Sequence, residues 1–186
     1  EISGHTVTDQ YRWLKRLHLV WDTSVIGDTD TIDSATITLT RNAGSTSTAL
    51  GNLLYNFGSA KTASNTAVSD ADYYLANLGS TLFSTGKAFS TLLGNTAYTW
   101  TLNASGLTNI SKVAPSTADT LSKFAARFDD DIANTTDELV WAGSNALSSA
   151  TMRMADFAGT STDPTLNVTY TAVAAADDLM MLLGVT

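Results

Sequence analysis

Cysteine is missing from this 186-residue chain, which removes disulfides, thiol nucleophiles, thiolate-bound zinc and iron–sulfur clusters together. Histidine is nearly missing too: only His5 and His18 offer an imidazole. Two Glu and five Lys are too few to give helices their usual charged outer faces, so an all-α fold is excluded. Ten cations against eighteen acids leave a net charge of −8 and a pI near 4.4. Nucleic-acid backbones need clustered cations, and an anionic lipid surface needs them as well, so neither is an expected partner. No apolar run approaches the roughly 20 residues of a membrane-spanning helix.

What remains is rich in hydroxyls. Thirty Thr and nineteen Ser occupy about a quarter of the positions, and 25 Ala add further small side chains. With 44% hydrophobic residues this is a foldable chain of one-domain size. It opens on Glu1, not Met, which reads as a processed or truncated terminus.

Alternation is clearest in Thr31-Ile-Asp-Ser-Ala-Thr-Ile-Thr-Leu-Thr-Arg41, where Ala35, Ile37 and Leu39 share one face and Thr36, Thr38 and Thr40 the other. Residues 98–102 place Tyr98, Trp100 and Leu102 inward, and residues 124–128 and 166–170 alternate similarly. Residues 11–21 are apolar on both faces and read as one long central strand. Weaker strands are expected over 48–57, 139–142 and 150–155, and Ser69 or Asp70 is expected to start a helical turn or two across 73–78. Clusters of Gly, Asn, Asp and Ser separate these runs, including 27–30, 42–45, 103–106, 129–137 and 159–164. Seven to nine short strands with such punctuation predict an all-β fold: an antiparallel, jelly-roll-like β-sandwich over residues 1–171 with one or two short helical turns. Residues 172–186 form an apolar C-terminal tail.

Reactive constellations are sparse. There is no G-x-S-x-G elbow, and Gly79…Gly86-Lys87-Ala88 fails as a phosphate loop in both spacing and hydroxyl. No catalytic residue is assigned. His18 lies between Leu17 and Leu19 and reads as a surface or structural group. A hard cation, calcium, is the one metal the acidic loops suit, with Asp28, Asp30 and Asp33 as candidate ligands and Asp129-Asp-Asp131 as a similar cluster; turn residues that accept backbone hydrogen bonds are the plainer reading of each. Trp13 and Trp141 are the aromatics free of a clear inward phase, and Arg12 and Arg16 belong to a dense basic patch, so these four are candidate glycan contacts. Solvated strand faces and core filling are the plainer readings.

Several segments taken together resemble the DNRLRE-type domain family, a carbohydrate-binding-module-like β-sandwich. They are Leu17-His-Leu-Val-Trp-Asp-Thr-Ser24 with Ile32-Asp-Ser-Ala-Thr-Ile-Thr-Leu39, then Ala63-Ser-Asn-Thr-Ala67 leading to Asp72-Tyr73. Tyr98-Thr-Trp-Thr-Leu-Asn103, Gly106-Leu-Thr-Asn-Ile-Ser-Lys112, Phe124-Ala-Ala-Arg-Phe-Asp129 and Asp163-Pro-Thr-Leu-Asn-Val-Thr-Tyr170 complete the series. The family's usual Lys and Phe are Val20 and Trp21 here. The resemblance implies a jelly-roll-like sandwich of the kind found in secreted enzymes, adhesins and virion proteins, and it implies fold more than ligand.

The tail Leu179, Met180, Met181, Leu182 and Leu183 is five consecutive large apolar residues, which need cover. The expectation is therefore a non-enzymatic structural or adhesive subunit on an extracellular, cell-surface or virion surface. It docks through that tail onto neighbouring subunits, as a homo-oligomer. A carbohydrate-binding module recognising a surface polysaccharide is the alternative.

Overall fold

The computed structural model describes residues 2–4, 11–43, 47–48, 53–60, 62, 64–73, 75–113, 120–135, 147–155 and 158–173, at some positions by backbone alone. Among these lie eleven strands: β1 (Ile2–Gly4), β2 (Tyr11–Leu14), β3 (Leu17–Asp22), β4 (Thr31–Thr40), β5 (Ser47–Thr48), β6 (Leu54–Ser59), β7 (Lys87–Ala88), β8 (Ala97–Thr101), β9 (Leu121–Phe128), β10 (Leu147–Ser149) and β11 (Thr165–Thr171). Short helical turns α1 (Leu75–Leu78), α2 (Ala104–Thr108) and α3 (Asp129–Ala133) interrupt them, with 3-10 turns at Asp70–Tyr73, Phe89–Thr91 and Thr160–Thr162. The protein is all-β, and every pairing between these strands is antiparallel.

Hydrogen bonding groups the strands as β11-β4-β8, β3-β9-β6-β7 and a small sheet β2-β1-β10-β5. The first two share one core. Ala35, Ile37 and Leu39 of β4 and Trp100 of β8 face Phe57, Phe124 and Ala126 across it. Trp100 meets Phe57 edge-on with ring centroids 5.3 Å apart, and its indole N–H donates to the Tyr55 carbonyl at 3.1 Å. Burying that one ring is worth at most about 4–6 kcal/mol of transfer free energy. Period-two alternation did this work: Ile37 and Leu39 are fully buried while Thr36 and Thr38 between them are half-buried on the outer side.

The structure corrects several boundaries. Residues 11–21 are not one strand. The chain breaks at Lys15 and Arg16, and β2 and β3 enter different sheets. Of the expected 48–57 strand, residue 48 belongs to β5 and residues 54–57 to β6, while 49–52 lie outside the described residues. The expected strand over 150–155 lies earlier, as β10, and 152 keeps an isolated bridge to Arg41. The acidic 129–137 loop begins with a helical turn, α3, closed by Asn134 in the left-handed conformation at φ 57°. Residues 139–142 lie outside the described residues.

The outer face of β3-β9-β6-β7 is covered. Small residues Ala125 and Gly58 stand opposite each other on that face. The smallness admits Leu78 of α1 and Ile132 of α3 onto the sheet. The outer face of β11-β4-β8 carries Thr165, Thr38 and Thr99 in one row and Asn167, Thr36 and Thr101 in the next. Its hydroxyls bond sideways, as between Thr38 and Thr99 at 2.8 Å.

Candidate functional site

Where β2 hands over to β3, Lys15 stays exposed and Arg16 turns inward. The Arg16 guanidinium grips the Asp131 carboxylate with two N–H groups, at 2.8 and 2.5 Å, and gives a third to the Tyr73 carbonyl at 2.9 Å. Arg127, fully buried on β9, donates to the same carboxylate at 2.7 Å, to the Asp131 backbone carbonyl, and to the Gly79 carbonyl at 3.0 Å. Burial pushes the Asp131 carboxyl upward, but hydrogen bonds from Arg16 and Arg127, with their charges, outweigh it and hold it below its ordinary value. One carboxylate thereby ties β3, β9, α3 and the 3-10 turn at Asp70–Tyr73 into a unit.

His18 lies beside this cluster, its ring 6.1 Å from that of Tyr73. Both ring nitrogens are buried without a hydrogen-bond partner. Desolvation lowers its pKa; Asp72 opposes the shift, and Arg16 and Arg127 reinforce it. Neutral His18 is thus a packing group, as expected from its place in the strand.

A cavity of about 290 Å³ adjoins the same link. Leu17, Ala150, Met152 and Met154 supply apolar lining, and Lys15 and Arg16 supply its basic groups. Its volume is near the lower limit of about 300 Å³ for ligand pockets. The sequence hinted at these basic groups through the density of cations at 12–16, but the methionines joined them only through folding. Their partner is the end of β4: Met152 bridges Arg41, and the Arg153 N–H donates to the Thr40 carbonyl at 2.8 Å.

The four candidate glycan residues do not form a described platform. Arg16 is committed to Asp131 and the Tyr73 carbonyl. The side chains of Arg12 and Trp13 in β2, all of Trp141, and the tail from Leu179 to Leu183 lie outside the described residues. The described tryptophans serve the core: Trp100 as above, and Trp21 against Phe124, its N–H reaching the Pro164 carbonyl at 3.3 Å.

Two of the candidate calcium ligands accept hydrogen bonds from the protein itself. Asp30 accepts from the Gly27 N–H at 2.7 Å and the Val173 N–H at 3.1 Å, and Asp33 accepts from the Thr171 hydroxyl at 2.8 Å. Asp28 is exposed. The carbonyls of Asp28 and Asp30 receive the Lys112 ammonium at 3.1 and 2.7 Å. Among the described residues no three acidic or imidazole groups converge as a metal set, and Asp129, Asp130 and Asp131 begin α3.

Compared with family models, curated proteins and solved structures, the chain matches none.

Proposed function

We propose that this protein is a non-enzymatic building block of an extracellular, cell-surface or virion-surface assembly, joined to neighbouring copies through its C-terminal tail. The jelly-roll-like reading of its sheets and the resemblance to DNRLRE-type sandwiches belong to the same proposal. The observation that carries it is where β11 ends. Val173, more than half exposed, is pinned to Asp30 at one end of the sheet, and the next thirteen residues include five large apolar ones in succession. Such a segment leaving a finished domain gains most by burial against another surface. Carbohydrate binding, the alternative, rests on the resemblance and on Trp13, Trp141 and Arg12.

Removing residues 174–186 tests the assembly reading. The expected product is a folded monomer, with unchanged far-ultraviolet circular dichroism, while the intact chain sediments as a larger species. Equal sedimentation of the two would end the proposal. Saturable signal on a glycan array, lost in Trp13→Ala or Trp141→Ala, would favour the alternative instead.

A further inference from the structure

We infer that the 3-10 turn Asp70–Tyr73 and α1 form an acid-released cover: when His18 gains a proton they lift from the outer face of β3 and β9, while the core between the two main sheets stays folded. The device stands apart from the proposed assembly and needs neither the tail nor a partner.

His18 stands on that outer face directly opposite Ala125. Leu78 of α1 clusters with Ala125, and Tyr73 lays its ring 6.1 Å from the imidazole, so both elements cover this part of the sheet. Beneath them both imidazole nitrogens are shielded from water and lack a hydrogen-bond partner. A neutral ring tolerates such a place, whereas an imidazolium carries a charge and two N–H donors that demand solvation. The cover is thin. Among the described side chains of the two elements, Leu78 is the buried apolar one, and Tyr73 is 45% exposed. Its ties to the sheet are the Arg16 bond to the Tyr73 carbonyl at 2.9 Å and the Arg127 bond to the Gly79 carbonyl at 3.0 Å. Segments with so little buried apolar surface open at low free energy, well below global unfolding.

The surrounding charges set the direction. Arg16 precedes His18 by two residues, and Lys123 and Arg127 flank Ala125 on β9. Asp131 of α3 is bonded by both arginines, and Lys123 donates to the Thr62 carbonyl at 3.1 Å. In the covering turn, Asp70 is exposed, while Asp72 is buried and accepts from the Ser69 N–H at 2.7 Å and the Ser69 hydroxyl at 2.9 Å. Leu75–Leu78 brings no ionisable group. Desolvation lowers the His18 pKa; Asp72 opposes this, and Arg16 and Arg127 add to it. Once the cover lifts, the imidazole returns toward its ordinary 6.5. Protons therefore favour the lifted form, which gains on the closed one as pH falls below about 6.5.

The test places one thiol under the cover. The chain has no cysteine, so Leu78→Cys in the full chain reports the lifting of α1 through its rate of labelling by dithiodipyridine. Each rate is divided by that of the same thiol in the urea-unfolded chain at the same pH. A lifted histidine of ordinary pKa 6.5 bounds the increase at about thirtyfold between about pH 7.5 and about pH 5. The expected rise is at least about fivefold, and it should vanish when His18→Phe is added. At pH 5 the rate should be insensitive to low urea, because lifting exposes little surface, whereas global unfolding carries the full urea slope. If Leu78→Cys misfolds by circular dichroism, hydrogen exchange of peptides spanning 70–78, corrected for intrinsic pH dependence, takes its place under the same three criteria. A flat pH profile, a rise that survives His18→Phe, or a urea slope equal to that of global unfolding would each overturn the proposal. None of these results bears on tail-mediated assembly, which truncation tests separately.

Discussion

The outer faces of the two main sheets solve the same problem in opposite ways. On β3-β9-β6-β7, small side chains at Gly58 and Ala125 let α1 and α3 settle on the strands. The helical turns bring Asp131 down onto two arginines that would otherwise be stranded. On β11-β4-β8, paired rows of Thr and Asn satisfy the surface with groups too small to need partners beyond water and one another. On the covered face a buried carboxylate and two arginines must satisfy one another, while the open face asks only for strand-forming residues that tolerate solvent. The covered face should therefore be fragile to single changes, and the open face tolerant.

The largest break in that contrast is Asp131→Ala. It leaves Arg127 and Arg16 facing each other without a counter-charge and should cost about 3–5 kcal/mol, read as a lower urea midpoint. Gly86→Ala comes next. Its new Cβ would stand 2.7 Å from the Leu54 Cβ, with the Asp129 carboxylate about as near, so the overlying segment must shift. A loss of about 1–3 kcal/mol is expected in the same measurement.

A pH series sharpens the comparison further. The folded state lowers the pKa of His18 from 6.5, so between that value and the folded one the unfolded chain binds more protons. This contribution is fully present above about pH 6.5 and is lost as pH falls through that window. The Asp131 contribution is present above the ordinary value of 3.8 and disappears only at lower pH, through its depressed folded value. Unfolding midpoints between about pH 5 and 8 should thus slope downward toward acid in the wild type and flatten in His18→Gln. An unchanged slope would dissociate His18 from the covered face. The smallest effect is reserved for the open face: Thr99→Val should change stability by no more than about 0.5 kcal/mol.

The strands that face water on one side were legible because alternation reports a single environment. Thr31–Thr40 was readable down to the inward set Ala35, Ile37 and Leu39, and Trp100 was correctly expected inside. Residues 11–21 misled because the chain changes sheet at Lys15 and Arg16, and no local property of those two residues marks a change of partner. Asp131 was legible only as one of three turn-prone acids. Its bonds reach Arg16 across 115 positions, a separation that pattern reading within a window does not bridge. The cavity was hidden for the same reason, since Leu17 and Met154 meet only after folding. Two loop asparagines likewise serve distant backbone: the Asn103 side chain accepts from the Gly106 N–H at the start of α2, and the Asn109 side chain donates to the Lys123 carbonyl.

The pairing of β4 with β11 joins Thr38 to Thr165, so one strand waits for a partner made 127 positions later. During synthesis, that flank of β4 lacks its native partner until residues 165–171 have emerged. Loops of that span close slowly, and nascent chains halted before residue 165 would present a ready template to any passing extended segment.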